Sequence, residues 1–450
     1  MKKQFSEEFL KELFSEISEA NAEIRKYYPG DSPERQPVQT VYGGAQLFKS
    51  GSIKKIGELA LQSMNEYGSD PEIFTDALGI KGDSSYKSSI HNKVIKKLES
   101  EAVEDFRIDF EDGFGIRPDS EEDETAMFTS GEVAKSMSEK TLSPFIGIRV
   151  KTLSDEMMRR ALRTLDIFIT NLTEKSNGIL PDNFVVTLPK VTHIKHVSAF
   201  VKALKLLEKK NGLTEGSLKM EIMVETTQSV FDHKGNANLM SLIRESEGRC
   251  IAAHFGVYDY TALCDITARY QNMQHPVCDF ARQIMKVTLA GTGIWLSDGA
   301  TNIMPVPVHR GNDLTEDQKQ GNRESIYRAW KISFEDIKHS LQSGFYQGWD
   351  LHPAQIPVRY AAVYDFFLEG LQQASERLIN FIDKAAQATL VGDVFDDAAT
   401  GQGLLNYFLR AYNCGAVTKE EITRTGLTEE DLRSRSFLKI TENRQKRSKN

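Results

Sequence analysis

The chain has 450 residues, of which 40% are hydrophobic, 9% aromatic and 27% charged, enough apolar residues for one large core or two to three small ones. A formal net charge of -8 excludes nucleic acid as the default partner, because phosphate binding needs a basic face. No run of about 18 apolar residues occurs, so no membrane span is expected, and four scattered cysteines without a CxxC pair fit free thiols in a reducing cytoplasm.

Residues 1–36 read as an N-terminal helical extension. Phe5, Phe9, Leu10, Leu13, Phe14 and Ile17 recur at helical spacing, and the interleaved Glu7, Glu8, Glu12 and Glu16 rule out a signal peptide. This amphipathic helix is expected to dock on another surface. From 37 to 360, β-rich runs alternate with helical segments. The runs are 37–44, 105–113, 144–151, 183–191, 218–226, 249–259, 293–298 and 345–353. Several are continuously apolar, as strands buried on both faces are.

Helical periodicity covers 53–67, 155–171, 193–209, 280–288 and 316–342. Two stretches read as insertions: 69–104, polar and loop-rich, and the acidic run 117–125, a solvated helix start. The alternation predicts an α/β fold, a (β/α)8 TIM barrel, rather than an open doubly wound sheet. Gly291 and Gly293 are the nearest approach to a dinucleotide fingerprint and lack its third glycine. Residues 361–450 read as a C-terminal helical region, interrupted by the Gly/Asp stretch 391–403 and closing on a basic tail.

In such a barrel the active site gathers at the C-terminal ends of the strands. The runs end on Gly43 and Gly44; Asp109, Glu111 and Asp112; Arg149; Lys190; Glu225; Asp259; Asp298; and Asp350 with His352. So many carboxylates in one mouth repel unless a cation sits among them, and a hard divalent ion such as magnesium is the economical solution. Taken singly, Asp298 before Gly299 also suits a turn, and His352 before Pro353 also suits a capped βα turn.

Seven pieces carry a family resemblance: IDFEDGF, GIRV, TLPKV, MVETTQ, HFGVYDYTA, WLSDG and GWDLHPAQI, in order across residues 107–356. They resemble the citrate lyase beta-subunit-like group of the HpcH/HpaI aldolase family, in the pyruvate/phosphoenolpyruvate-binding barrel superfamily. VFDDAATGQGLLNYFLRA is similar to the family's C-terminal segment, where an Asp precedes a helix that covers a neighbouring subunit's site. The resemblance implies a Mg2+-dependent carbon–carbon lyase or aldolase working through the enolate of a 2-oxo acid or acyl thioester. It implies Glu225 and Asp259 as metal ligands and Arg149 at the substrate's carbonyl or enolate oxygen. Asp109, Glu111 and Asp112 would lie near metal-bound water, and Asp396 would transfer a proton. Lys190, Asp298 and His352 complete the expected substrate-binding set. A homo-oligomer, a trimer or a multiple of it, follows from the same likeness.

Three positions depart from the family pattern. Tyr258 stands where a Glu usually precedes the metal-binding Asp, Lys151 replaces an Asn, and TVYGGAQLF replaces the opening motif tied to acyl-CoA substrates. The thioester substrate is therefore left open. Two other readings remain: a metal-free aldolase using Lys190 as a Schiff-base amine, and a non-catalytic barrel that binds a metabolite. For the C-terminal region, a helical hairpin folded back on its own barrel stands beside the crossing to a neighbour.

Overall fold

In the computed structural model the described residues are 4–440 apart from 31, 384–388, 392–393, 397, 426 and 435–439; the side chains of 382–399, 424 and 434 also lie outside the description. Each expected run contains one strand: β1 Gln39–Gly44, β2 Asp105–Asp109, β3 Phe145–Arg149, β4 Phe184–Leu188, β5 Lys219–Val224, β6 Cys250–Phe255, β7 Trp295–Ser297 and β8 Gly348–Asp350. They form one parallel sheet in the order β7-β6-β5-β4-β3-β2-β1-β8. A parallel bridge from Ser297 to Gln347 joins its two end strands. The result is a (β/α)8 TIM barrel, and β2, β3 and β4 are buried at every residue because helices cover one face and the barrel interior the other.

The helices expected from periodicity form close to their predicted bounds: Ser52–Tyr67, Met158–Lys175, Ile194–Lys210, Pro276–Leu289 and Glu316–Gln342. The last opens on a capping box, with Thr315 accepting from the Gln318 backbone. Residues 69–104 are not loop-rich. They hold the helices Pro71–Leu78 and Ser84–Glu101, started by the caps Asp70 and Asp83. Phe74, Leu78, Ile90, Val94 and Leu98 bury the inner faces, and the polarity that suggested loops belongs to the outer ones. The acidic run does open a helix, Asp119–Glu139, but Glu122 within it is fully buried beside Lys151 at 3.0 Å and Arg160 at 3.4 Å.

The helix Ile356–Leu368 runs through the expected boundary at 360 and is buried along nearly its whole length. Beyond it, Leu371–Asp383 and Ala398–Asn413 flank a short antiparallel pair, Thr389–Val391 with Val394–Asp396. Leu404, Leu405, Phe408 and Leu409 are buried on the chain's own body, where Arg410 Nη1 donates to the side-chain oxygen Oε1 of Gln36 at 2.6 Å. The apolar face that suggested a crossing to a neighbour is thus covered within the chain. The N-terminal helix, Glu7–Tyr27, is capped by Ser6 and buries none of its residues. Among the described residues no helix is long and apolar enough to cross a membrane.

Candidate active site

Successive residues of a strand face opposite sides, so Asp105, Arg107 and Asp109 line the barrel interior while their neighbours meet the helices. At the C-terminal end of β2, Asp109 lies in register with Arg149 of β3. The guanidinium grips it in a fork, Nε to Oδ1 at 2.7 Å and Nη2 to Oδ2 at 2.6 Å, and its Nη1 stands 3.0 Å from Glu111 Oε2. Asp109 also accepts the backbone N–H groups of Glu111 and Gly113 at 3.0 and 2.7 Å, which curls the acidic loop over the strand end. Gly44 makes room for that curl, since a Cβ there would fall 2.3 Å from the Gly113 carbonyl oxygen. Burial alone would push the Asp109 carboxyl up; Arg149 and the two N–H donors outweigh it and hold the group below the usual carboxylate range.

Lys190 follows β4 in a left-handed conformation, φ +49°, uncommon for a residue with a side chain and typical of functional sites. Its backbone N–H donates to Glu225 Oε1 at 2.7 Å. Its ammonium pairs with Glu111 and lies 3.4 Å from both Asp112 Oδ1 and Asp259 Oδ2. The segments after β2, β5 and β6 therefore bring four carboxylates, Glu111, Asp112, Glu225 and Asp259, to the lysine that follows β4. Glu225 is buried against Gly256, where a Cβ would come within 2.6 Å of its Cβ and Oε2. Burial, then the nearby Glu111 charge, pushes the Glu225 carboxyl up to about 8 despite Lys190 and Arg149. Glu111 is raised as well, again chiefly by burial.

Among the described residues, no group of three or more His, Cys, Asp and Glu side chains is arranged as a ligand set for a metal. The donor chemistry nonetheless fits magnesium. Glu225, Asp259 and Glu111 offer only hard oxygen donors, and the Lys190 ammonium stands where their charge demands a cation.

The remaining predicted residues go elsewhere. Asp298 is buried behind β7, held by Ser340, by the Gly299 N–H at 2.8 Å and by Arg282 at 3.3 Å, all outside the mouth. Asp350 is likewise locked to Arg359, Nε to Oδ1 and Oδ2 at 2.9 and 2.8 Å. His352 caps the turn Pro353–Gln355 through Nδ1, which accepts the Ala354 N–H at 3.2 Å. Asp396 ends its short strand, and its side chain lies outside the described residues.

Sequence reasoning missed the floor of the mouth. The Tyr42 and Trp349 rings lie 4.2 Å apart, and the Arg149 guanidinium sits 4.9 Å from the first and 6.0 Å from the second. Below them Arg107 forks onto Glu221 at 2.9 and 3.0 Å, and His254 faces Glu221 at 3.2 Å. Lys151 was noted only as a departure. It anchors the acidic loop by donating to the carbonyls of Phe110 and Gly115 and by pairing with Glu122. Counting back two residues from the ends of β1, β2 and β3 would have found Tyr42, Arg107 and Gly147 as inward positions, and four back from Glu225 would have found Glu221, given which parity faces in.

Fold and site together define a (β/α)8 barrel with a carboxylate-rich, Arg- and Lys-bearing mouth. Residues 17–440 match the family described as Domain of unknown function (DUF6986), and the chain belongs to that family. No curated protein matches. Among solved structures, the chain is similar to a citrate lyase from Burkholderia xenovorans LB400, at 16% identity and a TM-score of 0.54, over 88% of this chain and 99% of that one. It is also similar to the malate synthase of Haloferax volcanii, at 14% identity and a TM-score of 0.44, over 88% and 99%. A third similar structure is CitE from Mycobacterium tuberculosis in complex with magnesium, acetoacetate and coenzyme A, at 13% identity and a TM-score of 0.42, over 85% and 99%. At these identities the first likeness is one of fold.

Proposed function

We propose that this chain is a Mg2+-dependent carbon–carbon lyase, or the condensing enzyme in reverse, acting through the enolate of a 2-oxo acid or acyl thioester. The observation that carries this reading is the convergence of Glu111, Glu225 and Asp259 on one cationic centre beside Arg149. The motif order across 107–356 and the fold shared with a citrate lyase support it. Glu225 and Asp259 would hold magnesium, which supplies Lewis acidity toward the substrate's carbonyl oxygen.

Arg149 presents fixed positive charge to that same oxygen, where negative charge builds as the carbon–carbon bond breaks. Its fork onto Asp109 and its seat on Tyr42 leave it no freedom to turn away. Burial keeps a proton on Glu111 above the ordinary carboxylate range, which suits it to protonate the enolate carbon at a benefit of roughly 10²–10⁴-fold. Asp112, with its side chain 60% exposed, sits at the rim as a second proton carrier in exchange with solvent. Asp396 is the proton-transfer group the resemblance implies, and a homo-oligomer remains part of the proposal.

The Schiff-base alternative is disfavoured by the charge around Lys190. Burial lowers its ammonium, but Glu225, Glu111 and Asp112 outweigh that and hold it above the ordinary lysine range, the wrong direction for a nucleophilic amine. The test is a crystal soak with Mg2+ and pyruvate, oxaloacetate or glyoxylate. Chelation of one of them beside Arg149, on Glu225 and Asp259, is expected. A ligand bound only outside this mouth, or none at millimolar concentration, sinks the reading.

A further inference from the structure

The helix Glu7–Tyr27 has an apolar stripe and, among the described residues, no surface of its own chain beneath it. None of its residues is buried, and Phe9, Phe14, Ile17 and Ile24 are 47%, 58%, 46% and 58% exposed. At 21 residues it is about 31 Å long, and an amphipathic helix in a protein owes most of its stability to the packing of its apolar face. Its root is fixed: Arg244 lies over the Tyr27 ring at 4.5 Å, and Gly30 donates to the Gly291 carbonyl at 2.8 Å. That anchorage is at the base of the barrel, the end opposite the carboxylate mouth.

The stripe has a specific period. Leu10, Leu13, Ile17, Ala20 and Ile24 alternate spacings of three and four, the seam of a heptad repeat, with Phe9 and Phe14 on its two flanks. Leu10, Ile17 and Ile24 then occupy the first seam position of each heptad, and Leu13 and Ala20 the second. Isoleucine stands at the first position in two of the three heptads, Ile17 and Ile24, the β-branched choice that two parallel strands favour there.

The flanking residues agree with a second copy of the same helix. In a parallel, in-register pair, Phe9 of one helix meets Phe14 of the other, and Glu16 meets Asn21. An antiparallel pair would instead set Glu16 and Glu23 of the two helices against each other, acid on acid. We propose that Glu7–Tyr27 pairs with the same helix of a second copy as a short parallel coiled coil at the barrel base, leaving both mouths open.

Sedimentation velocity of the full chain at micromolar concentration should show a dimer or a multiple of two. Leu13→Glu combined with Ile17→Glu should halve the sedimenting mass while the near-ultraviolet circular dichroism of the barrel stays unchanged. Ala20→Cys should form a covalent dimer with itself under mild oxidation, because a parallel register sets the two positions side by side. Ser18→Cys, on the outer face of the pair, should not. Equal sedimentation of the native chain and the double variant, absence of the Ala20→Cys cross-link, or equal cross-linking of Ser18→Cys would each overturn the pairing.

Discussion

Two sides of the barrel carry the same sequence signature and use it oppositely. On the β2–β6 side the strand-end acids turn into the mouth and share Arg149 and Lys190. On the β7–β8 side Asp298 and Asp350 turn outward and are fastened to Arg282 and Arg359 of the surrounding helices. Strand parity decides between them: Trp349 faces the interior, so Asp350 beside it faces the helices. A strand-end acid of this barrel thus reaches the mouth where the parity of its strand points it inward, and is held by a helix-borne arginine where it points outward.

The comparison breaks first on activity. Glu225→Gln should abolish any Mg2+-dependent turnover while circular dichroism shows an intact fold, because the variant keeps the volume and loses the anionic oxygen. Full turnover in that variant would remove Glu225 from the metal site. Arg149→Lys should follow with a loss of more than about tenfold in kcat, since lysine keeps the charge and loses the planar fork that meets Asp109 and the substrate oxygen together. An unchanged kcat would leave Arg149 a purely structural clamp.

On the other side the large effect should be on stability. Arg359→Met leaves Asp350 buried without its partner, which costs about 3–5 kcal/mol. Urea unfolding should register this loss while turnover per folded molecule stays near native. A comparable collapse in turnover would show that the β8 side belongs to the site after all.

The barrel was legible because eight apolar runs of strand length sat between helical periods, a pattern that leaves few topologies. That Glu111, Arg149, Lys190, Glu225 and Asp259 meet in one mouth was legible because strand ends are short and chemically distinct. What was not legible followed from burial on both faces. With apolar residues on each side, β7 and β8 give no alternation to say which residues face inward, so Asp298 and His352 read like Glu225. The Asp70 and Asp83 caps were visible in 69–104, but a short helix with a polar outer face looks like a loop in composition. Tyr42 and Trp349 come together only through the β1–β8 pairing that closes the barrel, a contact between positions 307 residues apart in sequence that no local pattern encodes.

The smallest effect sharpens the comparison through its sign. Asp109, in the mouth, has its folded-state carboxyl lowered from 3.8, because Arg149 and backbone donors overcome burial. It adds stability that is present above its unfolded value and lost as pH falls through the folded one. Asp350, behind β8, is raised from 3.8, because burial there outweighs Arg359. The folded chain holds that proton where the unfolded chain has released it, so this group's contribution is lost as pH rises from 3.8 through the folded value. Urea midpoints between about pH 3 and pH 6 should therefore respond oppositely, each group adding at most about 1.4 kcal/mol per pH unit. Asp109→Asn should flatten the fall in stability on the acid side. Asp350→Asn, whatever it does to the midpoint itself, should flatten the fall as pH rises. If both variants changed the slope in the same direction, the two acids would share one electrostatic setting, and parity would not be what separates the mouth from the outer ring.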